Sequence, residues 1–228
     1  MIQSSPVITI DGPSGVGKGT LSQYLAHKLQ WHYLDSGAIY RALAYYTLYL
    51  NIDLNDEKAI VDCIAVMPLS FKYTGEKFNV FMNDILISDK IRTLEIAERS
   101  SKVAKIPIVR EGLLEKQRSF QCLPGLVADG RDMGTVVFPK AEIKLFLEAS
   151  LEARAKRRYK ELKEKKNNVK METVMCQLRD RDVRDVNRKS SPLFPAEDAY
   201  VIDTTYLSIP EVIETVMKII ANDQSMRI

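Results

Sequence analysis

Short β-branched runs alternate with stretches of helical period along much of the chain. Val7-Ile8-Thr9-Ile10 stops at Asp11-Gly12, and Leu21, Leu25 and Leu29 then recur every four positions. That pattern predicts a strand, a glycine loop and a helix. Comparable apolar runs stand at Gly125-Leu126-Val127-Ala128, at Ile143-Lys144-Leu145-Phe146-Leu147 and at Tyr200-Val201-Ile202, each ahead of a helical pattern or a polar loop. Strands alternating with helices predict an α/β fold on a parallel sheet, because parallel neighbours need a crossover element between them. Near the C-terminal end, Ser208 and Glu211 have the spacing of a capping box. Ile209, Val212, Ile213, Val216 and Ile220 follow on one helical face.

Two regions break the rhythm. Between Met67 and Ile91, the runs Leu69 to Tyr73, Phe78 to Phe81 and Ile85 to Ile87 are separated by Thr74-Gly75-Glu76 and Met82-Asn83-Asp84. Alternation punctuated by turn residues predicts a small antiparallel meander inserted into the α/β domain. The second region is dense in charge: residues 151–170 hold nine Lys/Arg against three Asp/Glu, and residues 171–190 five against four. The segment Arg154-Ala155-Lys156-Arg157-Arg158-Tyr159-Lys160 has the charge to follow an RNA backbone. Its single aromatic and its neighbouring glutamates favour a solvated helical face instead. Trp31, Tyr45, Tyr46 and Tyr49 read as packing residues. The chain has no internal repeat.

Composition narrows the class. With 228 residues and 46% hydrophobic content, the chain can bury a core without disulfides or a structural metal, which excludes small cysteine scaffolds and general disorder. Cys63, Cys122 and Cys176 are far apart and odd in number, so reduced structural thiols are expected. Two histidines, His27 and His32, make a histidine triad or metal cluster a poor reading. The first six residues lack the basic and apolar parts of a signal peptide, and no apolar run approaches about 18 residues. A cytoplasmic location is expected. The net charge of +3 names no partner, although residues 151–190 are strongly basic and the remainder is acidic.

The most specific chemistry lies at Gly12-Pro13-Ser14-Gly15-Val16-Gly17-Lys18, which fits G-x-x-x-x-G-K between a β run and a helix. This is a phosphate-binding loop. Its backbone N–H groups can curl around phosphate oxygens, the helix N-terminus adds its dipole, and Lys18 adds a charge. Gly19 occupies the place of the usual hydroxyl ligand for magnesium and Thr20 comes next, so Thr20 as metal ligand is insecure. Such a loop does not say whether the acceptor is water or a second substrate. Arg41, Arg110, Arg131, Arg181, Arg184 and Arg188 are candidates to clamp a phosphate. Arg181, Asp185 and Arg188, spaced i, i+4, i+7, share a helical face, where they could equally form surface ion pairs. Asp129, after Leu126-Val127-Ala128, has the position of a strand-end carboxylate that orients magnesium, and capping or pairing with an arginine is its other reading. Asp11 reads as a loop-shaping residue.

The segments Gly12 to Thr20, Leu34 to Ala42, Val109-Arg110, Val127 to Pro139, Arg181 to Arg188, Ser191-Pro192-Leu193 and Ile202 to Thr205 together closely resemble the bacterial cytidylate kinases, a family of nucleoside monophosphate kinases. The resemblance covers almost the whole chain. It implies a P-loop NTP hydrolase-like three-layer α/β fold with a five-stranded parallel sheet, an inserted antiparallel NMP-binding domain (63–104) within a core of 1–62 and 105–228, and a helical lid (154–190). It implies transfer of the ATP γ-phosphoryl group to CMP or dCMP, assisted by Mg²⁺, by a monomer with no nucleic-acid or membrane partner. Lys18, Arg131, Arg188 and Asp129 would serve catalysis. Gly12, Pro13, Ser14, Gly15, Val16, Gly17, Lys18, Gly19, Thr20 and Arg157 would bind ATP, and Arg154 or Arg158 could reach it too. Arg41 and Arg131 would hold the acceptor phosphate with Arg188 near it, Ser36, Arg110 and Asp132 would read the pyrimidine, and Ser101, Arg181 and Asp185 would meet the sugar. No firm direct metal ligand follows; Thr20 and Asp129 are the candidates.

Overall fold

A computed structural model describes residues 5–164, 169–188 and 191–223. Part of the expected lid segment, residues 165–168 and 189–190, lies outside the described residues, as do residues 1–4 of the N-terminal stretch. In chain order the elements are β1 (Val7–Asp11), α1 (Lys18–Leu29), β2 (His32–Asp35), α2 (Ser36–Tyr49), α3 (Glu57–Val66), β3 (Leu69–Thr74), β4 (Lys77–Met82), β5 (Ile85–Leu86), α4 (Leu94–Val103) and α5 (Pro107–Arg118). They continue with β6 (Leu126–Asp129), β7 (Ile143–Glu148), α6 (Leu151–Glu164), α7 (Met171–Val186), β8 (Tyr200–Asp203) and α8 (Ile209–Asn222).

Five strands form one sheet in the order β2-β6-β1-β7-β8. β1 runs parallel to β7, with Ile8 opposite Ile143 and Ile10 opposite Leu145, and β7 runs parallel to β8. All five residues of β1 and five of six in β7 are buried. Strands covered on both faces read as continuous apolar runs, and this is why the sequence pattern found them. β2 escaped that reading: it is four residues long and begins at an exposed histidine. The strand order turns at β1, which lies between β6 and β7, so the carboxyl end of β1 is where an open parallel sheet offers a crevice.

The described residues form two compact units, one of Ser5 with Ala26–Leu126, the other of Pro6–Leu25 with the residues from Val127 onward. In the first, α2 packs on α4 and α3 on α5, burying Ile39, Leu43, Ile60, Ile64, Val103 and Leu113. Full burial of each such side chain contributes roughly 1.5–3 kcal/mol. Arg99 of α4 donates to Thr47 Oγ1 at 3.1 Å and to the Ile52 carbonyl at 2.6 Å, closing the far end of α2. The meander is a second, antiparallel sheet, β3-β4-β5. Its first turn has Gly75 and Glu76 at φ 58° and 68°, its second Asn83 and Asp84 at 48° and 61°. Two successive positive φ values give the two-residue turn that matches strand twist. Tyr33, Phe71, Phe78 and Phe120 make edge or tilted ring contacts in this unit, and His27 stacks on Tyr73 at 4.1 Å. Trp31 is buried, as expected, but Tyr49 is 71% exposed and belongs to no core.

In the second unit, α6 and α7 pack through Ala155, Val174 and Leu178. α8 opens with the predicted capping box, Ser208 N–H donating to the Glu211 carboxylate at 2.8 Å, and buries Val212, Val216 and Ile220. The three cysteines are free thiols, Cys63 buried and the others exposed. Among the described residues no helix is long and apolar enough to cross a membrane.

Candidate active site

The phosphate loop leaves β1 at Gly12, whose φ is 141° and where a Cβ would lie 2.2 Å from the Leu147 carbonyl oxygen. Only glycine serves there. Lys18 opens α1 and folds back over the loop, its Nζ donating to the carbonyls of Gly12 and Pro13, each at 2.9 Å. Burial lowers its pKa to about 7, and the charges of Arg131 and Arg181 act in the same direction against the opposing pull of Asp129 and Asp11.

Arg131 follows β6 and Arg188 follows α7, and both converge on Asp185. Arg131 Nε donates to Asp185 Oδ2 at 2.8 Å, and the Arg188 guanidinium donates to Oδ1. Asp185 is 1% exposed. Burial works against its ionisation, but the charge and hydrogen bond of Arg131 and the charges of Arg188 and Arg181 outweigh it and hold the carboxyl below the usual range. The i, i+4, i+7 spacing thus places a buried carboxylate, Asp185, between exposed Arg181 and Arg188, and Arg131 reaches the same carboxylate from the end of β6. Asp132 is buried beside Arg131. Asp129 ends β6, and a Cβ on Gly19 would lie 3.6 Å from its Oδ2. Gly19 therefore faces this carboxylate, while Thr20 lines a cavity elsewhere.

That cavity, about 590 Å³, is walled by the loop residues Gly15 to Gly17, by Arg157 of α6, and by Thr204, Leu207, Ile209, Val212 and Ile213. Arg157 donates to the Val16 carbonyl at 3.3 Å and to Thr204 Oγ1 at 3.0 Å. Arg158 instead pairs with Glu161 at the surface. Arg154 is buried and bound on every side. It donates to the carbonyls of Ala149 and Ser14 and bidentately to Asp182, at 3.0 and 2.7 Å.

In the other unit, Ser36 is buried at the first turn of α2, which Asp35 caps by accepting from Ala38 N–H at 2.9 Å. Arg41 lies one turn on, and its Nε is buried without a hydrogen-bond partner among the described residues. A guanidinium N–H in that state suits an anion. The Arg110 guanidinium sits 5.9 Å from the Tyr40 ring centroid. Ser101 is exposed on α4 and donates back to the Ala97 carbonyl at 3.0 Å, so nothing within its unit draws it to the other three.

Sequence reasoning gave no role to Asp182, and it treated Arg154 as a surface charge able to reach ATP. The two are 28 residues apart, and no periodicity links them. A hint was available in the apolar spacing of α6: Arg154 stands beside buried Ala155 on the face that meets α7.

The cytidylate kinase family model matches residues 8–222. A cytidylate kinase of Aeromonas hydrophila is 53% identical over 217 residues, covering 95% of this chain and 94% of its own length. One from Enterobacter is 50% identical over 96% of each chain. The chain belongs to the cytidylate kinase family. It is therefore a kinase that binds nucleotide through its phosphate loop. An uncharacterized protein of Eubacterium ventriosum, 14% identical over 95% of this chain and 98% of its own, shares the fold at a TM-score of 0.50.

Proposed function

We propose that this cytidylate kinase family member transfers the γ-phosphoryl group of ATP to CMP or dCMP, giving ADP with CDP or dCDP. The observation that carries the reading is the pairing of Arg131 and Arg188 on buried Asp185 in the same unit as Lys18. The acceptor is an ionised phosphate oxygen, so the reaction needs no general base. It needs two polyanions held in line, spreading charge neutralised and water kept out. Lys18 and the loop N–H groups hold the donor phosphates. Arg131 and Arg188, oriented by Asp185, offer their remaining N–H donors to the acceptor phosphate, and Arg41, whose Nε has no partner among the described residues, is suited to a phosphate as well. Asp132 accepts from the cytosine amine and would face a carbonyl oxygen in uracil. Ser36 and Arg110 complete the base contacts, and Ser101, Arg181 and Asp185 meet the sugar.

Magnesium fits the residues present. Asp129 is a buried carboxylate whose neighbour on α1 is a glycine, which leaves room for the ion's water. Asp129 would hold Mg²⁺ through water, with Thr20 as the alternative ligand. When bound, the ion neutralises charge on the β- and γ-phosphates. Residues 63–104 act as the NMP-binding insertion and 154–190 as a lid, Arg157 contacting ATP on closure. The enzyme works as a cytoplasmic monomer without nucleic-acid or membrane partners.

ADP production is measured with CMP, dCMP, UMP and AMP as acceptors, with Lys18→Met as control. Stimulation by CMP and dCMP, lost in the variant, is expected. Activity that survives Lys18→Met, or equal rates on AMP, would sink the assignment.

A further inference from the structure

Lys144 is a buried cation that the proposed chemistry leaves unused. It stands on β7 with its side chain 8% exposed, and its Nζ donates to the Pro139 carbonyl at 2.7 Å and to Asp198, 2.9 Å from Oδ1 and 2.8 Å from Oδ2. The bond from Lys144 holds the Asp198 carboxyl below the usual range, although that side chain is 65% exposed. Burying an ammonium group costs free energy that a methionine of similar length would avoid. The two partners of Lys144 supply a reason for keeping it.

Pro139 and Asp198 belong to the two segments that follow the arginines on Asp185. Arg131 is followed by Asp132 and a π-helical turn, Met133–Val137. Asp11 holds the start of that turn, its carboxylate accepting from Met133 N–H at 2.9 Å and from Gly134 N–H at 2.8 Å. Lys144 holds the far end through the Pro139 carbonyl, and its stem runs so close that a Cβ on Gly134 would lie 3.2 Å from Lys144 Cδ. The other segment, residues 191–199, follows Asp185 and Arg188 in the chain. Leu193 N–H donates to the Asp185 carbonyl at 3.0 Å, and Asp198 anchors the segment again on Lys144. Between the two segments lies a cavity of about 380 Å³, lined by Thr135, Val136 and Pro139 of the first and by Pro192, Phe194 and Ala196 of the second. Side chains leave that gap open, and the Lys144–Asp198 pair spans it.

We infer that Lys144, through its ion pair with Asp198, is a positioning residue for the acceptor phosphate: it fastens the segment after Arg131 to the segment after Arg188, so that both guanidinium groups meet on Asp185. The inference rests on the proposed role of Arg131 and Arg188 at that phosphate. A group that acts by holding others in place shows itself in the affinity for the ligand those others bind.

The test measures KM for CMP and for ATP, kcat and the thermal midpoint in wild type, Lys144→Met, Asp198→Asn, Asp198→Glu, Arg131→Met and Lys144→Met/Arg131→Met. Members of one ion-pair network are coupled strongly enough that KM for CMP should rise about five- to tenfold in Lys144→Met and in Asp198→Asn. KM for ATP should stay within about twofold. Asp198→Glu keeps the charge at the exposed end of the pair and should retain most of the wild-type affinity for CMP. Arg131→Met should itself raise KM for CMP, and adding Lys144→Met should then cost less than it does in wild type, because one of the cations it positions is gone. Lower thermal midpoints in Lys144→Met and Asp198→Asn with KM for CMP unchanged, while Arg131→Met raises it, would overturn the inference alone. Strict additivity in the double variant, or a KM for CMP raised as far by Asp198→Glu as by Asp198→Asn, would do the same. An unchanged KM for CMP in Arg131→Met would instead remove the reading of the acceptor site on which the inference rests. Loss of the thermal transition in both Lys144→Met and Asp198→Asn would also overturn it, making the pair a requirement of the fold.

Discussion

Arg154 is a demanding test of how the α6–α7 pair is held to the phosphate loop. Its side chain is 7% exposed and that of Asp182 25%. Replacing it with Met keeps much of the stem's packing but removes four hydrogen bonds, two of them to the Asp182 carboxylate. Breaking a buried ion pair from one side costs about 3–5 kcal/mol, because the other charge is stranded. Asp182 is a quarter exposed and regains some water, which brings the expected loss to about 2–3 kcal/mol. In a protein of this size that corresponds to a fall of roughly 4–12 °C in Tm. Thermal and urea unfolding followed by circular dichroism would measure it. Arg154→Met/Asp182→Leu should cost less than the sum of the single variants by about 1–2 kcal/mol, since no charge is then left alone. A Cβ on Gly15 would lie 3.3 Å from the Arg154 carbonyl oxygen, so the same variant should also weaken ATP binding. A loss below about 0.5 kcal/mol, or strict additivity in the double variant, would refute the argument.

Three further outcomes follow from local geometry. Asp11 has a folded pKa of about 6 against 3.8, so its contribution to stability is fully present below about pH 3.8 and is lost as pH rises through about 6. The advantage of wild type over Asp11→Asn in urea unfolding should therefore shrink by about 2–3 kcal/mol between pH 4 and pH 7, and a pH-independent gap would contradict this. Gly125→Ala should cost about 1–3 kcal/mol, because its Cβ would lie 2.3 Å from the Trp31 ring. Trp31 is the chain's single tryptophan, so its fluorescence reports the disturbance directly; an unchanged spectrum and midpoint would count against it. Lys18, lowered to about 7, should take up a proton when ATP phosphates arrive. Calorimetry at pH 8 in buffers of different ionisation enthalpy should show uptake approaching one proton, declining below pH 7, and no uptake at pH 8 would contradict the pKa assignment.

What could be read from the residues had a local cause. The phosphate loop is a contiguous motif, the meander turns are dipeptides that accept positive φ, and Ser208 with Glu211 caps a helix within one turn. Buried parallel strands stood out because neither face alternates. What could not be read was contact at a distance. Asp11 was recognisable as a loop-shaping residue, but its partners Met133 and Gly134 lie 122 and 123 positions away and contribute only backbone N–H groups, which carry no side-chain signature. Asp185 was legible as a helical-face partner of Arg181 and Arg188, while its bond to Arg131 depends on how α7 meets the end of β6. β2 was invisible because a four-residue strand with His32 and Asp35 at its ends offers too short a pattern. Arg154 was misleading because a basic run reads as solvated until packing shows which of its members faces inward.

The charge distribution gains its meaning from those packing contacts. Residues 151–190 carry a large positive excess, and a surface patch of that kind would attract any polyanion. The acidic residues among them change this. Asp182 engages Arg154 and Asp185 engages Arg131 and Arg188, so the cations are held at defined places with guanidinium groups already oriented. Burial is the main cause of the lowered Lys18 pKa, and the charges of Arg131 and Arg181 add to it, so the cations make the free site less favourable still. A ligand with phosphates at two places relieves that repulsion, whereas a neutral ligand of the same shape does not. Fixing like charges in the folded protein moves the cost of assembling them from the reaction to folding, and the differential binding this creates is what a phosphoryl transfer requires.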